Sequence, residues 1–159
     1  AQNVVYTEVR YSAHFLASAD GPDSAVSLSS ARAVVSAVTR GLRSGCEETG
    51  VVVNQILCCI NWRPEWADGT VSLALEFSGP SAGSCRVVGV DIAAGEEHFD
   101  AGRFPGLHGP HADAMRRARE AGLRVTLHAG ENADPDNIQK AVDVYGAERI
   151  GHGNRAADD

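Results

Sequence analysis

The stretch LRVTLHAGENADPDNIQKAVDVYGAERIGHG, residues 123–153, contains two short apolar runs that each stop at a histidine. The first run ends at His128 and the second at His152, and a carboxylate, Glu131, follows the first histidine by three residues. Short apolar runs bounded by small and polar residues predict buried strands. The stretch therefore predicts two strands that present imidazole where each one ends, with a carboxylate beside the first.

The segment between the two histidines predicts a helix. Asp134 is a preferred N-cap residue, and Pro135 suits the first helical position, where the N–H that it lacks would have no helical partner. The apolar residues that follow fall on one face at helical spacing: Ile138, Ala141, Val142 and Tyr145. The order of elements is thus strand, helix and strand.

The rest of the chain continues this alternation. Apolar and β-branched runs predict further strands at residues 4–10, 51–60 and 86–93. Helically spaced apolar residues predict further helices at residues 34–46, 66–77 and 110–121. Strands that alternate with helices at these intervals imply a parallel sheet with right-handed crossovers, which is an α/β fold.

A closed (β/α)₈ barrel and an open doubly wound sheet both contain such an arrangement. The barrel is favoured by the polar residues at or just past the carboxyl ends of the predicted strands: Glu8, Arg10, Asn61, Asp91, His128 and His152. In a barrel, that face carries the chemistry. Because so few strands cannot close a barrel, we expect residues 1–159 to be a single, partial barrel domain from the interior of a longer protein.

The composition is that of a globular protein, with 43% apolar and 22% charged residues. The formal net charge of -7 repels phosphate, which argues against a nucleic-acid partner. No apolar stretch approaches the ~20 residues that a membrane span needs. The basic cluster Arg116, Arg117 and Arg119 is predicted to be the solvent-exposed face of one helix.

The cysteines, Cys46, Cys58, Cys59 and Cys85, include no C-x-x-C pair. The vicinal pair lies in the apolar run QILCCI, where cysteine packs as a small hydrophobic residue. This usage favours a reducing compartment, and hence the cytoplasm. A secreted form stays open as an alternative, because the sequence starts inside a predicted strand without an initiator methionine.

The two strand-end histidines and the glutamate favour a chemical site. A lone histidine in such a place would more often bind only a backbone carbonyl, but two with a carboxylate between them favour catalysis. Neutral imidazole is a common metal ligand, and a catalytic zinc site keeps one position open for water. One histidine could bind the metal while the other handles the proton of the water. The other histidines, His98, His108 and His111, are predicted to lie at the surface.

Asp91 lies in RVVGVDIAAGEE, residues 86–97, at the end of another predicted strand. The carboxylate could be only a cap on a turn. Alternatively, the small residues after it could let a ligand approach backbone N–H groups closely. The stretch by itself leaves both interpretations open.

HAGE at residues 128–131, followed by IGHG at residues 150–153, resembles the adenosine deaminase family of the amidohydrolase superfamily. The segments VVYTEVRYS at 4–12, ILCC at 56–59 and VVGVDIAAGEE at 87–97 are similar to family segments in the same order. EVRYS together with HAGE is more similar to true adenosine deaminases than to the N6-methyl-AMP, adenine or AMP deaminases.

The resemblance implies a zinc enzyme on a (β/α)₈ barrel, of which this chain would hold strands two to six. With one Zn²⁺ per site, it would convert adenosine, and 2′-deoxyadenosine, to inosine and ammonia in purine nucleoside metabolism. His128 would be a zinc ligand, Glu131 the acid that protonates purine N1, and His152 the group that orients and deprotonates water.

The resemblance also implies a substrate-binding turn at Asp91, Ala94 and Gly95, where the family offers a glycine N–H to the purine and this chain has Ala94 followed by Gly95. The family's H-x-H and Asp-Asp zinc and substrate ligands would lie outside residues 1–159. Asp158-Asp159 is not that aspartate pair, because it follows the last predicted strand too closely. We therefore expect the isolated chain to be inactive.

Two alternatives remain at the level of sequence. One is a non-catalytic binding or signalling module on the same scaffold. The other is an amidohydrolase that acts on another aminopurine. Both keep the barrel and differ in the chemistry of its carboxyl-end face.

Overall fold

Five parallel strands lie side by side in the order in which they occur in the chain. The computed structural model of the protein describes residues 3–18, 25–80, 83–99 and 108–157. The strands are β1 (Tyr6–Tyr11), β2 (Val52–Ile60), β3 (Val87–Ala93), β4 (Arg124–Ala129) and β5 (Arg149–His152). All four neighbouring pairs are parallel. The predicted parallel sheet is confirmed.

Helices occur in each connection between consecutive strands. They are α1 (Ala13–Ala17), α2 (Leu28–Thr49), α3 (Ala67–Glu76), α4 (His108–Glu120) and α5 (Asp136–Asp143). Single 3₁₀ turns, Pro64–Trp66 and Glu96–Phe99, follow β2 and β3. The short helix α1 was not predicted. Among the described residues, no helix has the length and apolarity needed to span a membrane.

The strand order decides between the two folds that the sequence left open. A doubly wound sheet reverses its strand order at a switch point, whereas each strand of a barrel pairs with the next one in the chain. The observed order, β1-β2-β3-β4-β5, has no reversal. The sheet is a curled half-barrel, as the barrel prediction requires.

Helix α2 shows how local sequence fixes the ends of an element. Ser27 precedes the helix, and its side chain accepts a hydrogen bond from the N–H of Ser30 at 3.1 Å. Gly50 ends the helix with a φ of 72°, a left-handed conformation in which glycine has no steric penalty. The helix begins six residues before the predicted start because the apolar pattern sets in after the serine cap.

The hydrophobic core lies between the sheet and the helices that cover it. Its fully buried members include Leu57, Val71, Ile92, Met115 and Leu127. Cys58 and Cys59 are both buried in β2, which confirms that the vicinal pair packs as part of the interior.

The predicted surface location of the histidine cluster is wrong for His111. This residue is only 1% exposed, and its Nε2 donates to the backbone carbonyl of Asn61 at 3.0 Å. Burial lowers the pKa of His111, so that the ring stays neutral. His108 is half-buried and lies 2.6 Å from the hydroxyl of Tyr145, and His98 is also half-buried.

Three smaller predictions also need correction. Arg117 is half-buried rather than fully exposed, since its guanidinium donates to Ser72 Oγ at 3.0 Å. Val142 is 46% exposed, because it lies on the outer side of α5. Helix α5 begins at Asp136, after Pro135, so Asp134 is not its N-cap, although Asp134 Oδ1 still accepts from the N–H of Asp136 at 2.9 Å.

We expect Gly89→Ala to destabilise the sheet, because a Cβ at this position in β3 would lie 2.8 Å from the carbonyl oxygen of Arg124 in β4. Forced overpacking of this kind costs about 1–3 kcal/mol of unfolding free energy. Gly41→Ala is the matched control, since a Cβ there meets nothing within 4 Å and alanine is the better helix former by about 1 kcal/mol. Urea denaturation of both variants tests this, and an unchanged midpoint for Gly89→Ala would contradict it.

Candidate active site

The carboxyl ends of the strands meet at one edge of the half-barrel, because all five strands run in parallel. Register places His128 of β4 beside Gly151 of β5, and Ala129 beside His152. Asp91 lies one strand away, in β3, beside Cys58 of β2. Arg10, Asp91, His128 and His152 are therefore brought to the same edge, as predicted. The prediction is wrong for Glu8, which lies inside β1 and binds Arg149 at the amino end of β5 at 2.6 Å.

Asp91 is completely buried and joins three strands. Its Oδ2 accepts a hydrogen bond from Arg10 Nη1 of β1 at 3.0 Å and lies 2.9 Å from His128 Nδ1 of β4. The other carboxylate oxygen, Oδ1, is buried and has no hydrogen-bond partner among the described residues. A buried carboxylate needs positively charged or donor groups around it, and these two side chains supply them.

His128 is held with its two ring nitrogens facing different neighbours. Nδ1 faces the Asp91 carboxylate at 2.9 Å, although the angle falls short of a well-directed hydrogen bond. Nε2 lies 3.5 Å from Arg10 Nη1. A carboxylate at one ring nitrogen is the usual arrangement behind a histidine metal ligand, and Nε2 would bind a metal here in place of its contact with Arg10.

The described residues do not form a complete metal site by themselves. No group of three or more His, Cys, Asp or Glu side chains that could hold a metal ion occurs within residues 3–18, 25–80, 83–99 and 108–157. The donor chemistry and orientation of His128 fit one coordination position. A complete metal site would need further ligands besides His128.

Glu131 and His152 lie next to His128. The rings of the two histidines are 5.2 Å apart between centroids, and His152 Nε2 is 3.6 Å from Glu131 Oε2. The side chains of Glu131 and His152 are 47% and 38% exposed, so both are accessible from the open face of the half-barrel. The fold thus brings together the three residues that the sequence predicts as catalytic or metal-binding.

Tight turns after β4 and β5 make this convergence possible. His152 has a φ of 67°, a left-handed conformation that costs a non-glycine residue roughly 1–2 kcal/mol. The next residue, Gly153, donates its N–H to the carbonyl of Ala129 at 3.0 Å and so ties the two turns together. Strained conformations of this kind are typical of functional sites.

The glycine of the HAGE motif is required by close packing. Gly130 has a φ of 66°, and a Cβ there would lie 2.6 Å from Cδ1 of Ile138 in α5. A side chain there would force Ile138 to move and would also be strained by the left-handed backbone. The motif spacing is therefore explained by the geometry of the turn that carries Glu131.

The predicted substrate-binding turn follows β3. Ala94 and Gly95 both have left-handed backbone conformations, with φ of 66° and 70°. The carbonyl of Gly95 accepts a hydrogen bond from the Asn61 side chain at 3.2 Å, which fixes the turn against the end of β2. Asp91, Ala94 and Gly95 as substrate-binding residues remain a prediction.

An open apolar cavity of about 300 Å³ lies beside His128. Phe15, Ile60 and Trp62 supply its apolar walls, and Ala94 and Arg10 complete it. Sequence analysis missed Phe15 and Trp62, although both lie within four residues of a strand's carboxyl end, where site residues are expected. A larger groove of about 580 Å³, lined by Arg119 and other charged residues, lies at the amino ends of the strands and contains no histidine.

A parallel half-barrel with histidines and carboxylates at the carboxyl ends of its strands is part of a (β/α)₈ barrel of the amidohydrolase type. The sequence profile described as Adenosine deaminase matches residues 1–159. The chain belongs to the adenosine deaminase family, which confirms the resemblance carried by the HAGE and IGHG motifs.

Curated relatives agree with this assignment. The adenosine deaminases of Bos taurus and Xenopus laevis are 35% and 33% identical and align with 98% and 99% of this chain. The adenosine deaminase of Serratia proteamaculans is 37% identical over 79% of the chain. The chain spans 42%, 42% and 34% of the lengths of these relatives, respectively.

Solved structures share the fold. An adenine deaminase from Arthrobacter aurescens has a TM-score of 0.71 and 24% identity, covering 98% of this chain and 42% of its own. An amidohydrolase from Burkhoderia ambifaria with bound Zn has a TM-score of 0.72 and 24% identity, covering 99% and 38%. At this identity, the likeness supports the fold alone.

We expect Asp91→Asn to destabilise the protein by about 1–3 kcal/mol, because the amide removes the charge that faces Arg10 and leaves buried polar groups poorly matched. Asp113→Asn is the matched control, since Asp113 is 77% exposed and its ion pair with Arg116 is screened by solvent and contributes little. Chemical denaturation measures both. Equal stabilities of Asp91→Asn and the wild type would show that the buried carboxylate does not hold the three strands.

Proposed function

We propose that the protein carrying this chain catalyses the zinc-dependent hydrolytic deamination of adenosine and 2′-deoxyadenosine to inosine and ammonia, in purine nucleoside metabolism. The supporting observation is the convergence of His128, Glu131 and His152 at the ends of β4 and β5 in a member of the adenosine deaminase family. Membership of the adenosine deaminase family indicates the class of reaction, and the three converging side chains are candidates for its catalytic and metal-binding residues.

His128 is proposed as a ligand of one Zn²⁺, presented through Nε2 while Nδ1 faces the carboxylate of Asp91. Zinc at this position would supply the Lewis acidity that makes water a nucleophile at neutral pH. Asp91 acts here by orienting the ring, as carboxylates behind histidine ligands do in other metal sites. The guanidinium of Arg10 compensates the negative charge of this carboxylate.

Glu131 is proposed as the proton donor to the purine ring. Attack of water at C6 disrupts the aromatic ring and places negative charge on it. A proton delivered to N1 by a carboxylic acid neutralises that charge and makes C6 more electrophilic. Glu131 lies on the open side of the half-barrel, where a ring can reach it.

His152 is proposed as the base that orients the attacking water and takes its proton. Imidazole exchanges protons near neutral pH and is suited to this role. Its left-handed backbone conformation holds the ring 5.2 Å from that of His128. The proposed base and the proposed metal ligand are thereby kept next to each other.

The cavity beside His128 is proposed to bind the nucleoside. Its volume of about 300 Å³ is at the lower end for small-molecule sites, and apolar walls from Phe15 and Trp62 suit an aromatic base. The turn at Ala94 and Gly95 would offer a backbone N–H to the purine. Asp91 would take part in substrate binding indirectly, by holding Arg10 and His128, which both line the cavity.

Domain and compartment are also proposals. We propose that residues 1–159 form one domain, a part of the catalytic barrel, because the chain covers 42% of relatives that it matches over almost its whole length. The cytoplasm is the proposed compartment, since the cysteines of the described residues are free and mostly buried.

We expect Glu131→Gln in the full protein to lower kcat for adenosine about 10²–10⁴-fold, because an amide can hydrogen-bond the purine but cannot protonate N1. Bound zinc should persist. Glu120→Gln, an exposed carboxylate on α4, is the control and should keep the wild-type rate. The absorbance change from adenosine to inosine measures turnover, and a Glu131→Gln enzyme with most of its rate would refute the assigned role.

We expect the 159-residue chain by itself to bind zinc weakly and not to deaminate adenosine. A stable catalytic zinc site needs about three protein ligands, and the described residues bring no such group together. Isothermal titration with zinc, alongside an adenosine assay, tests this. One equivalent of tightly bound zinc with turnover would contradict it.

A further inference from the structure

A buried glutamate, Glu96, lies beneath the turn that carries Glu131. It opens the 3₁₀ turn Glu96–Phe99 after β3 and is 4% exposed. No step of the proposed reaction uses it. A carboxylate buried to this degree requires several donors, and these are backbone N–H groups of one segment together with the side-chain amide of Asn137, whose Nδ2 donates to Oε1 at 3.4 Å.

The carboxylate of Glu96 accepts hydrogen bonds from consecutive backbone N–H groups. Oε1 accepts from Gly130 at 2.5 Å, and Oε2 accepts from Glu131 at 2.9 Å, Asn132 at 3.0 Å and Ala133 at 3.2 Å. Successive N–H groups that converge in this way form a concave anion-binding site. In this protein, a side chain of the same chain occupies that site.

The carbonyl groups of the same turn are held from the opposite side. The backbone N–H of Arg155, after β5, donates to the carbonyl of Gly130 at 3.1 Å. The guanidinium of Arg155 donates to the carbonyl of Ala133 at 2.5 Å. The turn of residues 130–133 therefore contacts the Glu96 carboxylate, which follows β3, and the Arg155 guanidinium, which follows β5.

The charge of Glu96 agrees with this geometry. Burial tends to raise the pKa of the carboxyl group, but the backbone donors of residues 130–133 outweigh it and hold the pKa below its ordinary value. Glu96 is therefore an acceptor only, whereas the side chain of Glu131 is 47% exposed and accepts none of these backbone hydrogen bonds.

We propose that Glu96 is a positioning residue for Glu131, which fixes the backbone of residues 130–133 so that the Glu131 carboxyl group meets the purine ring. This inference rests on the proposed role of Glu131 as proton donor. A displacement of about 1 Å in a reacting group can lower a rate on the order of 100-fold, so the backbone of this turn matters to catalysis.

The contact itself is tested by hydrogen exchange on the full protein. Glu96→Gln keeps the shape of the side chain but loses its charge and turns an NH₂ group toward backbone donors. We expect the amides of residues 130–133 to exchange at least about tenfold faster, with the core strands unchanged. Glu97→Gln is the control, because Glu97 is the exposed neighbour, at 55%, and should change none of these amides.

The positioning role is tested by kinetics with adenosine. Glu96→Gln should lower kcat about 10–100-fold, as loss of a supporting partner does in other sites, while KM changes little. Glu96→Asp, which keeps the charge, should recover part of the rate. In a Glu131→Gln background, adding Glu96→Gln should lower kcat little further, because the proton donor is already lost.

Three results would overturn the inference. They are unchanged exchange at residues 130–133, a wild-type rate in Glu96→Gln, or a loss that multiplies with that of Glu131→Gln. Retained turnover in Glu131→Gln would instead overturn the proposed function and, with it, this role of Glu96. Retained turnover in Glu96→Gln alone would leave the proposed function standing.

Discussion

The carboxylate of Asp91 has no contact with solvent, and its need for compensating groups constrains everything at the carboxyl edge of the sheet. Arg10 of β1 and His128 of β4 meet it at 3.0 and 2.9 Å. One buried charge thus connects three strands that are distant in sequence and holds the Nδ1 side of the His128 ring. The same contact serves folding and the proposed metal site.

Backbone turns at the ends of β4 and β5 position the side chains of Glu131 and His152. Gly130 lets the chain pass under α5, and His152 adopts a left-handed conformation to face back toward β4. The Glu96 carboxylate accepts hydrogen bonds from the turn after β4, and Arg155 donates to it, so that both residues hold this turn in place. Gly130 and Gly153 both have positive φ, which explains why glycine suits these positions of HAGE and IGHG.

Sequence alone predicted the order of strands and helices, because the apolar periodicity is local and strong. It also predicted the convergence of His128, Glu131 and His152, which follows from parallel strands ending at one edge. It missed the burial of His111, although this residue shares the inward stripe of α4 with Ala114 and Met115. The Glu96 contact was out of reach, since it joins residues 34 to 37 positions apart through backbone N–H groups that carry no sequence signature.

We infer that the ends of β4 and β5 form one deaminase site in a barrel of the adenosine deaminase family. A crystal structure of the full protein with zinc and a purine nucleoside analogue, with the metal located by anomalous scattering, tests it most directly. We expect His128 Nε2 to lie about 2.0–2.1 Å from zinc and the Glu131 carboxyl to lie about 2.6–3.2 Å from the purine N1. Zinc bound away from His128, or a purine that does not reach Glu131, would contradict it.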